Sequence, residues 1–79
     1  MKIKLFGFLG SVIAPELELD LPDFLTKKII LATLAEKYPT YQADFDKCNV
    51  AVNQVYIVDE EVDKAEVMEI AVIPPVSGG

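Results

Sequence analysis

Histidine and tryptophan are absent from the sequence, and cysteine occurs once, as Cys48. Without histidine the chain lacks the side chain that most often serves as a general base and as a metal ligand near neutral pH. A single cysteine cannot form an internal disulfide, so the fold needs no oxidising compartment, and we expect a cytoplasmic protein. These absences argue against a conventional catalytic site or a metal centre, and we expect neither.

Basic residues are also scarce. Seven Lys and Arg residues face 13 Asp and Glu residues, which gives a net charge of −6 and a pI of about 4.4. Nucleic acids and anionic membranes are bound through clusters of basic side chains, and the lysines here are scattered. No apolar run reaches the roughly 20 residues of a membrane-spanning helix. We therefore expect neither nucleic acid nor membrane as a partner, whereas an acidic surface suits basic proteins.

The sequence is rich in apolar residues at regular spacing. With 79 residues, of which 52% are hydrophobic, it can form one domain with one sheet and one helix. Alternation of apolar and polar residues is typical of half-buried strands. It is clearest in residues 16–21, where Leu17, Leu19 and Leu21 alternate with acids and are expected to face inward. Strands are predicted at residues 2–8, 16–21, 48–52, 55–58 and 67–73.

A helix is predicted between the second and third strands. Asp23 or Thr26 is the expected N-cap, and Pro39 ends the helix because the residue before a proline avoids the α conformation. The apolar positions are spaced by three and four, as in an amphipathic helix: Ile30, Leu31, Leu34, Ala35 and Tyr38.

Residues 1–14 admit a second interpretation. Two lysines precede an apolar stretch, and Val12 and Ala14 stand before Pro15, which is the outline of a secretory signal peptide and its cleavage site. A proline directly after the cleavage point is unfavourable, and the segment also supplies core residues to a first strand. We prefer the strand, followed by a loop at Gly10, Ser11 and Pro15.

The predicted order is strand, strand, helix, strand, strand, strand. Residues 40–47 are polar and are expected to form a surface loop, and Asn53-Gln54 suits a tight turn. One helix must cover one face of one sheet, and its long connection suits a parallel crossover. The fold class predicted is α+β: a β-grasp with a mixed sheet of about five strands on one main helix. The domain is predicted at 1–73, with an extended tail at 74–79.

Internal side chains offer little chemistry. Asp59, Glu60, Glu61 and Asp63 lack the spacing of a calcium-binding loop and are better explained as a solvated acidic connection. Cys48 begins a predicted strand without a nameable basic neighbour, so a buried, inert thiol is expected.

The C-terminal segment is different. Pro74 and Pro75 cannot donate hydrogen bonds to a sheet and favour an extended chain. Ser77 is small, and Gly78 and Gly79 have no side chains, so this segment can enter a narrow channel and approach a nucleotide closely. A terminal carboxylate is ionised at neutral pH, and adenylation with ATP makes it an electrophile that sulfur can attack. A frayed terminus is the alternative.

Two segments carry a family resemblance: Val52-Asn53-Gln54 and residues 70–79, Ile-Ala-Val-Ile-Pro-Pro-Val-Ser-Gly-Gly. They resemble the sulfur-carrier subunits of molybdopterin synthase, which are ubiquitin-like β-grasp proteins. The resemblance extends over nearly the whole chain, and Pro-Pro-Val-Ser-Gly-Gly is its most specific part. Family members usually have Gly-Asp before the last strand, where this chain has Val67-Met68.

The resemblance implies a mechanism. An adenylyltransferase related to ubiquitin-activating enzymes uses ATP to adenylate Gly79, and a sulfur-donor system converts it to a thiocarboxylate. The tail then enters the large catalytic subunit of molybdopterin synthase, where sulfur passes to cyclic pyranopterin monophosphate. Two carriers usually flank a dimer of large subunits, so a heterotetramer is expected. The carrier is then no enzyme on its own and binds no cofactor stably.

Partner contacts are expected on the sheet face away from the helix. Phe6, Tyr56 and Ile73 are predicted to point outward there, as an apolar patch that the resemblance assigns to docking. Ordinary, partly buried residues are the alternative. Further partner contacts are expected in the tail: Pro74, Pro75, Val76 and Ser77.

Three other functions stay open at this point. The chain can be a sulfur carrier for thiamine or for tRNA thiolation, a ubiquitin-like modifier whose activated Gly79 is attacked by a lysine, or a β-grasp binding module without tail chemistry. What becomes attached to Gly79 distinguishes them.

Overall fold

The computed structural model of the chain describes residues 1–75. Within these residues, a five-stranded sheet has the order β2-β1-β7-β4-β5, and a two-stranded sheet pairs β3 with β6. The strands are β1 (Lys2–Leu5), β2 (Glu16–Glu18), β3 (Phe24–Leu25), β4 (Asn49–Val52), β5 (Val55–Ile57), β6 (Val62–Asp63) and β7 (Ile70–Ile73). The helices are α1 (Gly7–Val12), α2 (Lys27–Lys37) and α3 (Gln42–Phe45), with 3₁₀ turns at Pro39–Tyr41 and Lys64–Glu66.

The first and last strands form the parallel pair at the centre of the large sheet. β1 and β7 are parallel, whereas β1–β2, β4–β7 and β4–β5 are antiparallel. It follows that β2 and β4 run in the same direction, and α2 is the crossover that joins them. The predicted mixed β-grasp sheet on one main helix is confirmed.

One face of the sheet packs against α2 and forms the core. Its side chains alternate along each strand with residues on the opposite face. Burying each of these side chains contributes roughly 1.5–3 kcal/mol. Strand residues in the core are Ile3, Leu5, Val50, Val52, Ile57, Ile70 and Val72, and the buried residues of α2 are Ile30, Leu31 and Leu34.

The ends of α2 follow the sequence prediction. The Thr26 side chain accepts a hydrogen bond from the backbone N–H of Ile29 at 3.1 Å, which makes Thr26, and not Asp23, the N-cap. The helix ends at Lys37, two residues before Pro39.

The first predicted strand is too long. β1 ends at Leu5, and the chain turns into α1 at Gly7, whose φ of +61° is open to glycine but strained for other residues. The loop predicted at Gly10 and Ser11 is therefore helical. Leu9, which belongs to this short helix, is fully buried. The segment therefore supplies a core residue, as expected, but from a helix and not from a strand.

The second predicted strand is also too long. β2 pairs with β1, and β1 begins at Lys2. β2 ends at Glu18, and the N–H of Leu19 makes a further bond to the carbonyl of Met1, where the neighbouring strand begins. The inward faces were predicted correctly: Leu19 and Leu21 are buried and Leu17 is half-buried.

The surface loop predicted at 40–47 is wrong in part. A 3₁₀ turn and α3 occupy most of it, and Phe45 in α3 is fully buried in the core. Tyr41, four residues earlier, is half-buried and packs on the same core. A four-residue spacing places both aromatic side chains on one helix face. Their burial against the core determines the conformation of this segment, although most residues around them are polar.

The acidic connection is solvated, as predicted, and it is also structured. Glu60 accepts hydrogen bonds from the backbone N–H groups of Val58 at 3.0 Å and Asp59 at 2.9 Å. These bonds lower the pKa of the Glu60 carboxyl, and the bond from Val58 has the largest effect. Downstream, β6 pairs with β3, a two-residue ladder that the sequence pattern did not predict.

Asn53 joins the β4–β5 turn to the loop before β7. The predicted Asn53-Gln54 turn is confirmed, and both residues have positive φ, 52° and 68°. The Asn53 Oδ1 accepts from the N–H groups of Met68 at 2.7 Å and Glu69 at 3.1 Å, and its Nδ2 donates to the carbonyl of Glu66 at 2.9 Å. These bonds hold the loop outside the ladder, so β7 begins at Ile70 and not at residue 67.

Replacing Asn53 by glycine tests this junction. Asn53→Gly keeps access to positive φ and removes the three side-chain bonds, so we expect a loss of about 1–2 kcal/mol in the free energy of unfolding. The matched control is Gln54→Gly, which has the same backbone requirement and no such bonds, and which should stay within about 1 kcal/mol of the parent. Urea unfolding of the three proteins measures both, and equal stabilities for the two variants would contradict the role given to the Asn53 amide.

Candidate functional site

The sheet face opposite α2 carries a row of residues across four strands. Strand register aligns Lys4 of β1 with Ala71 of β7, Ala71 with Ala51 of β4, and Ala51 with Tyr56 of β5. The two alanines are nearly buried between neighbouring strands, and Tyr56 is 60% exposed. Because an alanine side chain ends at its Cβ, the middle of this face is a shallow apolar surface with no protruding side chains.

A second row continues this face towards the C-terminal end of β7. Phe6 follows β1, and its N–H donates to the carbonyl of Val72 at 3.1 Å, which sets Phe6 beside Ile73. Phe6 is 46% exposed and Ile73 is half-buried. The structure thus brings the three predicted docking residues to one face. We call this set the outer patch: Phe6, Ala51, Tyr56, Ala71 and Ile73.

Ala51 and Ala71 were missed by the sequence reasoning. The strand alternation that points Val50 and Val52 inward also turns Ala51 outward, so the pattern was sufficient to place Ala51.

Charged residues border the outer patch. Lys4 Nζ lies 3.4 Å from a carboxylate oxygen of Glu69, and Lys2 Nζ lies 3.4 Å from one of Glu16. Such exposed pairs contribute little to stability. They neutralise the two lysines on this side of the sheet and give the apolar surface a polar rim, the arrangement common to protein–protein interfaces.

The chain leaves the sheet next to the outer patch. Pro74 is half-buried and Pro75 is exposed, directly after the last residue of β7. The other predicted tail residues lie outside the described part of the chain: Val76, Ser77, Gly78 and Gly79. The boundary predicted after residue 73 stays a prediction.

Cys48 is buried, as predicted. Its side chain is 1% exposed and its Sγ donates to the carbonyl of Asp44 at 3.3 Å. Burial, with a smaller contribution from the Asp44 charge and an opposing one from Lys27, raises the pKa of the thiol to about 11. At neutral pH the group is a protonated thiol, which is a poor nucleophile.

The described residues contain no other candidate centre. Across residues 1–75, no three His, Cys, Asp or Glu side chains are grouped to hold a metal ion. In the same residues, no helix has the length and apolar character that crossing a membrane requires.

Comparison with known proteins places this geometry in a family. Residues 3–79 match the ThiS family. A molybdopterin synthase sulfur carrier subunit of Dictyostelium discoideum is 38% identical over 81 residues, covering 99% of this chain and 94% of that protein. One of Aedes aegypti is 39% identical over 57 residues, covering 70% of this chain and 58% of that protein.

A solved structure confirms the architecture. The crystal structure of SAMP1 from Haloferax volcanii superposes with a TM-score of 0.74 at 26% identity, covering 99% of this chain and 97% of that one. The family match and the named relatives confirm the resemblance inferred from the residues, and the chain belongs to the ThiS family.

Proposed function

We propose that this chain is a sulfur carrier of molybdenum cofactor biosynthesis, with the C-terminal carboxylate of Gly79 as its reactive group. The observation that carries the proposal is the match, over 99% of the chain, to a relative named molybdopterin synthase sulfur carrier subunit. The sequence adds the Pro-Pro-Val-Ser-Gly-Gly ending. The fold adds an apolar face beside the start of that ending.

The proposed chemistry has two steps on Gly79. The carboxylate attacks the α-phosphate of ATP, pyrophosphate leaves, and an acyl-adenylate forms. Hydrosulfide from the sulfur source then attacks the acyl carbon, AMP leaves with its electron pair, and loss of the S–H proton gives the thiocarboxylate. The carboxylate is ionised at neutral pH and needs no base within this chain, in keeping with a sequence that has no histidine.

The nucleotide and the sulfur come from partners on this proposal. An adenylyltransferase related to ubiquitin-activating enzymes supplies ATP activation, and a separate donor supplies sulfur. The thiocarboxylate is then delivered to cyclic pyranopterin monophosphate inside the large subunit of molybdopterin synthase, in a heterotetramer. The carrier is not an enzyme by itself and holds no cofactor stably. We place these steps in the cytoplasm, which the single, buried Cys48 permits.

The outer patch is the proposed docking surface for these partners. Exposed aromatic side chains around a desolvated apolar centre are typical of interface hot spots. Ile73 belongs to the patch and Pro74 follows it directly, so a partner that covers the patch also receives the tail. The net charge of −6 favours partners with basic surfaces and predicts slower association at high ionic strength.

The first test is the chemical state of Gly79. Incubation with ATP, the activating enzyme and a sulfide source should replace one oxygen by sulfur in the C-terminal peptide, as located by fragmentation mass spectrometry. Fragmentation is needed because the mass change is close to that of oxidising Met1 or Met68. A chain lacking Gly79 is the control and should stay unmodified.

The outcomes separate the candidate functions. Thiocarboxylate on Gly79, followed by molybdopterin formation once the large subunit and pterin precursor are added, supports the proposal. Thiocarboxylate without that product indicates a carrier for thiamine or tRNA thiolation. A Gly79 isopeptide to lysine indicates a protein modifier. An unmodified Gly79, with an activating enzyme active on another carrier, contradicts the proposal.

Docking is tested by truncating the outer patch. Phe6→Ala combined with Ile73→Ala should weaken binding to the large subunit at least tenfold, because loss of an interface hot spot typically costs more than about 1.4 kcal/mol. Phe24→Ala is the matched control, since Phe24 is 54% exposed and lies on β3, outside the large sheet. Calorimetry measures both. If the double variant binds like the parent, the patch is not the docking surface.

The proposal also predicts that Cys48 takes no part in sulfur transfer. Cys48→Ala should form thiocarboxylate on Gly79 at the parent rate, because the native thiol is buried and protonated. In the folded parent, Ellman's reagent at pH 8 should react with Cys48 on the order of a hundredfold more slowly than in denaturant. Two results together would contradict this prediction and indicate that Cys48 relays sulfur: rapid labelling of Cys48 in the folded parent, and slower thiocarboxylate formation on Gly79 in Cys48→Ala.

A further inference from the structure

The parallel pairing of β1 and β7 places the first corner of the chain beside the exit of the tail. Leu5 lies opposite Val72, and the Phe6 N–H donates to the carbonyl of Val72 at 3.1 Å. The next bond of a parallel ladder would need an N–H at residue 74. Pro74 has none, so the ladder ends where Phe6 leads into Gly7.

Gly7 meets the ring of Pro74 at this corner. A Cβ placed on Gly7 would lie 2.8 Å from Cγ and 3.6 Å from Cδ of Pro74. Carbon atoms in good contact are about 3.5–4.0 Å apart, so any side chain at position 7 would displace the ring or the corner. Gly7 also has a φ of +61°. The position therefore needs glycine for two separable reasons, the backbone angle and the space taken by the ring.

We propose that Gly7 is a positioning residue for the reactive tail: its bare Cα seats the ring of Pro74 and fixes the direction in which the chain leaves the sheet. This inference rests on the function proposed for Gly79. A proline ring fixes φ, and a following proline restricts the residue before it. Because the backbone torsions of Pro74 and Pro75 are restricted, the chain direction set at Gly7 is maintained through these two residues.

Direction matters because the reach beyond Pro75 is short. Four residues span at most about 14 Å, so the angle at which they start limits where the carboxylate of Gly79 can be presented. A misplacement of about 1 Å at a reacting group can lower a rate on the order of a hundredfold. Docking through the outer patch is a separate event, since Gly7 has no side chain to contribute to it.

The test is a double-mutant cycle between Gly7 and Pro74. Gly7→Asn adds a Cβ while asparagine tolerates positive φ, and Pro74→Ala removes the ring. Pyrophosphate release by the activating enzyme, with the carrier as varied substrate, gives kcat and KM for each variant. Gly7→Asn should lower kcat about tenfold or more with KM changed less than about threefold. In the Pro74→Ala background, Gly7→Asn should cost nothing further. The control background is Pro75→Ala, in which the full cost should persist.

A second measurement does not depend on any enzyme. Amide shifts of residues 76–79 should move in Gly7→Asn and should not move further when Gly7→Asn is added to Pro74→Ala, while urea unfolding monitors the fold. If Gly7→Asn does not fold, Pro74→Ala alone must lower kcat at unchanged stability, and a parental kcat overturns the inference.

The remaining outcomes are distinct. Parental kcat and tail shifts in Gly7→Asn overturn the inference and leave the carrier function standing. An equal loss in both Pro74 backgrounds overturns it in favour of backbone strain at Gly7. A parent chain that is never adenylated overturns the proposed function, and the amide shifts still decide whether Gly7 orients the tail.

Discussion

The parallel pairing of the first and last strands is the constraint on which the rest of the structure depends. It places β1 and β7 at the centre of the sheet, covered on one face by α2. Because parallel strands end at the same edge, the corner after β1 and the residues after β7 emerge side by side. The position of Phe6 beside Ile73, the contact of Gly7 with Pro74 and the point where the chain leaves the sheet all follow from that one ladder.

The two faces of this sheet are built from different residues for different purposes. The inner face uses branched aliphatic side chains that fill the space beneath α2. On the outer face the centre is reduced to the methyl groups of Ala51 and Ala71, and larger side chains stand at the border. The apolar part of the outer face is thus confined to a few residues, with charged side chains at its border.

The sequence was sufficient for the elements that rest on periodicity. Alternation located the strands of the large sheet, Pro39 predicted the end of α2, and the sequence left its N-cap open between Asp23 and Thr26. The sequence did not predict features that depend on tertiary contacts. α1 depends on a positive φ at Gly7, and β3 and β6 are two-residue strands, which are too short to show a periodic pattern. The start of β7 was misplaced because the Asn53 side chain holds the preceding loop, a contact no local pattern reveals. The large residues of the outer patch could be predicted, whereas the contact between Gly7 and Pro74 could not.

The central ladder also has a consequence for how the protein is made. Ile3 pairs with Ile70, nearly the full length of the chain away, so this is a contact of high order and slow to form. During synthesis β1 can pair with β7 only after the residues of β7 have left the ribosome. The outer patch and the Gly7 seat for Pro74 exist only in chains that have completed this step. On the function proposed above, activation is therefore selective for chains that have closed this ladder.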